Sequence, residues 1–256
     1  MSYYDGGALR RRWVWMVASA GGVLVWRAAA YRWPSSFVEI PDGLHLPLAL
    51  LGILFAASSV WTWWVRPNRW TRVFLLYGLC LGVHWGGAIG APDASLEMGL
   101  FWIYLAFTAI GDAALLHLAL IYPRGKSLAL QGRALLYAPA AVALLLAPIA
   151  AFAPRTAALE SSVGLVLLVA NLFSISAGIV FLVRWFTADE ATRRAAGLSL
   201  IVTGMVSGSV LALLGAGGLL PGVPEAWNLA LGVVPIALAV ALVSQSLERP
   251  HVDRLP

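Results

Sequence analysis

Residues 98–121 read MGLFWIYLAFTAIGDAALLHLALI, with Asp112 as the only charged side chain. A helix of this length rises on the order of 35 Å, enough to cross the ~30 Å hydrocarbon core of a bilayer. The run is unbroken rather than alternating in polarity, which rules it out as a barrel strand. In lipid the backbone must satisfy its own hydrogen bonds, so a helix is the remaining spanning form.

The same pattern recurs on both sides of this segment. Apolar runs at Trp13–Tyr31, Leu46–Val65, Val73–Ile89, Ala134–Phe152, Val163–Val183, Ala195–Leu214 and Ala226–Val243 join Met98–Ile121. Pro123, Pro154 and Pro221 lie at or beyond the expected helix ends, where proline is tolerated. The pattern predicts an all-α, polytopic membrane bundle of eight transmembrane helices, forming one domain over residues 1–256. Composition agrees: 61% of the residues are apolar and 11% charged, against about 25% charged in a soluble domain.

The charges fall in blocks between the runs. Arg10–Arg12, then Arg66, Arg69 and Arg72, then Arg124, Lys126 and Arg133, then Arg184, Arg193 and Arg194, then Arg249 and Arg254 occupy alternate connections. The other connections carry Glu39, Asp42, Asp93, Glu97, Glu160 and Glu225, with Arg27, Arg32 and Arg155 as the only bases. Lys/Arg bias of this kind marks the cytoplasmic side and places both termini there. Tryptophans cluster near the expected ends of the runs, as headgroup-level anchors do. The net charge of +5 thus reflects orientation, and a nucleic-acid partner is not expected. The three leading arginines and Ala28–Ala30 also fit a signal peptide. Arg27 inside the stretch favours a retained helix.

Gly78, Gly82 and Gly86 in the third run, and Gly204 and Gly208 in the seventh, recur every four residues. Small-residue stripes let helices approach closely in lipid. They are read as a packing seam within the chain, with a homodimer interface as the alternative.

Asp112 is the main candidate for function. An ionised Asp at mid-membrane costs about 2.5–3.5 kcal/mol, so it is expected to be protonated, paired or facing water. Tyr104, Thr108 and Asp112, four apart, share one helix face. Asn171 lies at a similar depth and, like Ser174, is a candidate partner. Pro235 is expected to kink the last run.

No cofactor is expected. The only lysine, Lys126, lies in a connection, so a retinal Schiff base has no anchor. His84 and His117 stand at different depths by helical rise, which disfavours a haem between them. The single cysteine, Cys80, excludes an intrachain disulfide and a CxxC metal site. No HExxH, GxSxG or Walker-type phosphate loop occurs.

The segment His117-Leu-Ala-Leu-Ile-Tyr-Pro123 resembles the HFxLxFP ending of a helix in the multi-helix N-terminal membrane module of certain bacterial sensor histidine kinases. Arg193-Arg194-Ala-Ala-Gly197 is similar to the basic stretch leading into that module's penultimate helix. Gly232–Val243, containing Pro235, is similar to its last helix. The likeness covers roughly residues 98–243. It implies a signal-transduction module without its kinase region, since about a dozen residues follow Val243. In this reading His117, Pro123 and Pro235 are markers of the module.

The expected function is therefore non-enzymatic. The chain would be an inner-membrane sensor that responds to a membrane-embedded cue, or acts through a partner output protein. A transporter or channel using Asp112, and an accessory subunit of a larger membrane complex, are the alternatives. The lipid bilayer is the one partner required by all three.

Overall fold

The computed structural model describes residues 6–38, 40, 44–123, 128–152, 157–216 and 233–248, and among these the regular secondary structure is helical. The helices are α1 (Gly6–Arg32), α2 (His45–Val65), α3 (Arg69–His84), α4 (Ala94–Ile121), α5 (Leu130–Phe152), α6 (Ala157–Thr187), the short α7 (Glu190–Ala195), α8 (Leu198–Ala216) and α9 (Val233–Glu248). Among the described residues, four segments are long and apolar enough to cross a membrane: α2, α4, α5 and Ser161–Thr187 of α6. Leu198–Gly208 and Pro235–Gln245 are shorter apolar helical stretches. The chain thus has the character of a helical membrane protein.

Local chemistry explains where several helices begin. Asn68 caps α3 by accepting from the Thr71 N–H, and Thr71 Oγ1 accepts from the Asn68 N–H, a reciprocal capping box. Asp93 accepts from the Ser95 and Leu96 N–H groups at the start of α4. Asp189 does the same for the Thr192 N–H of α7.

Two boundaries depart from the apolar runs. The third run continues to Ile89, but α3 stops at His84. Gly87 there adopts φ +82°, a backbone that glycine takes without a Cβ penalty. The seventh run begins at Ala195, yet the chain breaks at Gly197, φ +57°, between α7 and α8. Apolar residues on both sides of each glycine conceal the turn. For the eighth run, residues 226–232 lie outside the described residues. The described part of α9 begins at Val233, with Pro235 two residues in. The kink expected at Pro235 has no described helix before it.

Helix α4 is the centre of the bundle. It packs on α3, α5 and α6, while α2 covers the other side of α3. Helix α9 fits against α8 and α2, and α1 rests on α2 and α3 at the edge. One core cluster joins Phe55, Phe74, Tyr77, Leu118, Tyr122, Phe181 and Leu238. Another joins Trp102, Leu105 and Ala109 of α4 to Ala143 and Ala147 of α5. Large apolar side chains lie exposed around the outside, among them Val17, Val25, Leu145, Leu168 and Ile175, a belt suited to lipid tails and costly in water.

The glycines of the third run form a seam within the chain. A Cβ on Gly78 would overlap the Ser59 side chain and lie 2.9 Å from the Phe55 carbonyl oxygen. A Cβ on Gly82 would lie 2.9 Å from Val23 Cγ1, and one on Gly86 would lie 2.9 Å from Arg27 Cγ. Gly78 and Gly82 are buried against α1 and α2. Gly204 and Gly208 are buried along α8.

Candidate functional site

The expected stripe on α4 divides into two polar clusters. In the first, Tyr104 and Thr108 face His84 at the end of α3. Thr108 Oγ1 is 3.0 Å and Tyr104 Oη 3.1 Å from His84 Nδ1. The imidazole stacks on the Tyr104 ring at 5.6 Å between centroids, nearly parallel at 14°. Thr108 also donates to the Tyr104 carbonyl at 3.2 Å, one turn back. Two hydroxyls converge on one ring nitrogen, which orients the ring and ties α3 to α4.

Asp112 belongs to the second cluster. Its carboxyl Oδ1 accepts a hydrogen bond from the Ser174 hydroxyl on α6. Tyr77 and Cys80 of α3, both buried, lie close enough to feel its charge. Gly111 makes this approach possible: a Cβ there would sit 3.3 Å from Cys80 Cβ. The carboxyl group is therefore placed where three helices meet. Asn171, the other expected partner, is exposed on the outer face of α6, one turn before Ser174. Of the two candidates, the structure brings only the hydroxyl to Asp112. On a helix one position decides: Ser174 lies on the face toward α4, and residue 171, about 60° round from it, points away.

His117 sits elsewhere. Its Nδ1 is 3.1 Å from the Tyr137 hydroxyl on α5, and the rings meet edge to face at 6.0 Å. His84 and His117 thus make separate contacts with different helices. Below His117, α4 ends at Tyr122 and Pro123. The Tyr122 hydroxyl donates to the Ala196 carbonyl at 2.8 Å and also contacts Gln245 Oε1 of α9. Arg184 of α6 donates to the Leu120 carbonyl, placing a cation at the C-terminal end of α4, where the helix dipole favours it.

At the opposite end, Glu97 is buried in the first turn of α4 and receives the Ser35 hydroxyl at 2.9 Å and the Ser36 N–H. This holds the segment after α1 over the bundle. That segment pairs Pro34 with Ile89 in an isolated antiparallel bridge, and Phe37 stacks on Phe101 at 4.8 Å. The half-buried Arg27 donates to the Gly82 carbonyl at 2.9 Å and the Trp85 carbonyl at 3.4 Å. In the sequence Glu97 marks orientation, and Arg27 marks orientation and a retained first helix. Their charge at the margin of an apolar run was the available signal for a tertiary contact.

No family model, curated protein or solved structure matches the chain.

Proposed function

We propose that this chain is a non-enzymatic membrane sensor module, which detects a membrane-embedded cue and passes it to a separate output protein. The observation that carries this reading is the Asp112–Ser174 contact. An intramembrane carboxyl group joins the central helix to α6, beside Tyr77 and Cys80 of α3. Polar groups at membrane depth are costly and tend to mark function. A change in the protonation or pairing of this one group alters what α4 offers to α6, and α4 contacts α3, α5 and α6. The resemblance of residues 117–123 and 193–197 to a sensor-kinase membrane module supports the same reading.

The accompanying topology has eight spans, with both termini in the cytoplasm of a bacterial inner-membrane protein. It rests on the alternation of arginines between connections. Reporter fusions after Pro256 and within residues 93–97 are expected to report opposite sides. Reports from the same side would refute this topology.

The functional test separates a switch from a strut. Asp112→Asn keeps a donor and an acceptor, so its thermal stability in mild detergent should stay within about 0.5 kcal/mol of wild type. Asp112→Leu should lose about 0.6 kcal/mol, and at most about 2, the range for hydrogen bonds between membrane helices. A sensor module should copurify with an output protein from native membranes, and Asp112→Asn should change that association without unfolding the chain. Wild-type behaviour of both variants in both assays would remove the case for Asp112. Proton or ion flux through proteoliposomes carrying the purified chain, abolished in Asp112→Asn, would instead make it a transporter.

A further inference from the structure

The seam between α1 and α2 opens into two spaces, one above the other. At the C-terminal end of α1 is a cavity of ≈ 1090 Å³ lined by α1, the start of α2, residues 34–36, 38 and 40, and the turn after α3. Its polar side chains are Arg27, Tyr31, Ser35, Ser36 and His45, and the Tyr31 and His45 rings meet edge to face at 6.3 Å. Beneath it is an apolar groove of ≈ 390 Å³, which includes Val17, Leu24, Ile53 and Ala57. The lining positions recur every three or four residues along both helices, so cavity and groove share one face of the pair.

We propose that this seam binds one anionic membrane lipid, with its phosphate at Arg27 and one acyl chain in the groove. The proposal rests on the sensor reading above and specifies the class of its cue. Arg27 carries five N–H donors, and two carbonyl bonds from it are seen. Among the described residues no carboxylate lines the cavity. A phosphate diester carries the complementary charge and accepts from a guanidinium fork in bidentate fashion. Arg27 lies about 7 Å inside the end of α1 by helical rise, comparable with the ~6 Å interfacial layer of a bilayer leaflet. A free anion would satisfy the arginine but leave the groove unfilled. An acyl chain fills it, and each buried CH2 favours binding.

The experiment is native mass spectrometry of the full chain, released from micelles that hold equimolar phosphatidylglycerol and phosphatidylcholine with identical chains. Wild type should retain one phosphatidylglycerol, preferred about tenfold over the zwitterionic lipid. Arg27→Gln should lose the preference. Arg27→Lys should keep most of it, because the charge remains. Ala57→Phe, which fills the groove and leaves the head site intact, should retain neither lipid. Arg32→Gln removes an exposed charge outside the cavity and should behave as wild type. Equal retention of both lipids by wild type would mean annular lipid only and would overturn the proposal. Undiminished phosphatidylglycerol binding by folded Arg27→Gln or Ala57→Phe would do the same. Lipid retention needs no output protein. The lipid site can therefore fail while partner association stands, and association can fail while the lipid remains bound.

Discussion

Gly78→Leu is expected to destabilise the bundle by about 3 kcal/mol, the upper end of ordinary overpacking. At this position even a Cβ would overlap the Ser59 side chain, and the Phe55 carbonyl oxygen would be 2.9 Å away. A backbone oxygen cannot swing aside as a long side chain can, so α2 and α3 would have to separate. Separation would open the contacts of Phe55 and Phe74, which are fully buried in the main core cluster. Gly178 provides the control within the same protein. A Cβ there meets nothing within 4 Å, so Gly178→Ala should not destabilise and should gain up to about 1 kcal/mol from helix propensity. Thermal unfolding of both variants in the same detergent checks the pair. Equal stability of Gly78→Leu and wild type would refute the α2–α3 seam described above.

The second large effect is expected at Glu97. Its carboxylate receives the Ser35 hydroxyl and the Ser36 N–H in a buried position. Glu97→Ala leaves two donors without their acceptor, each worth about 1–3 kcal/mol when buried. The segment that crosses the bundle after α1 should then detach, and limited proteolysis should cut within residues 33–40 where wild type resists. Glu97→Gln keeps one acceptor oxygen and should fall between the two. Proteolysis of Glu97→Ala at the wild-type rate would mean that Phe37 on Phe101 and the Pro34–Ile89 bridge hold the segment unaided.

Most helices were legible because a bilayer imposes a crude rule on the residues that meet it. The runs 46–65, 98–121 and 134–152 end at Val65, Ile121 and Phe152, where the structure ends α2, α4 and α5. Hydropathy does not register backbone geometry, and so it extended the third run through Gly87 and began the seventh before Gly197. The site was legible in part. Asp112 stood out because a carboxylate in an apolar helix is conspicuous. Ser174 was legible by its depth, beside Asn171, whereas Tyr77 and Cys80 were not, because they are ordinary components of membrane helices. Only the relative rotation of α3, α4 and α6 brings them to one point. Tyr104 and Thr108 share a face with Asp112, yet they bond to His84 on another helix. A periodicity argument places residues on one face and cannot say which neighbour covers each turn of it. Pro139 and Pro148 lie inside α5, and the apolar run around them gave no boundary at either.

The Tyr122 hydroxyl meets the Ala196 carbonyl and Gln245 Oε1, and Arg66 Nη1 reaches the Gln245 carbonyl at 3.5 Å. One phenol at the foot of α4 therefore sets the axial register of α9 against the rest of the bundle. A slip of one helical turn, about 5.4 Å, would move Gln245 away from both Tyr122 and Arg66. Small piston-like displacements of α4 would drag α9 with them, while α1 is tied to the end of α3 and the turn after it, where Arg27 donates to the Gly82 and Trp85 carbonyls and Trp26 to the Gly87 carbonyl. Mechanically, the assembly is clasped at two places: where α4, α9 and the α7–α8 junction converge, and where α1 meets the end of α3. Force on α9 would thus be passed to α4, and force on α1 to α3.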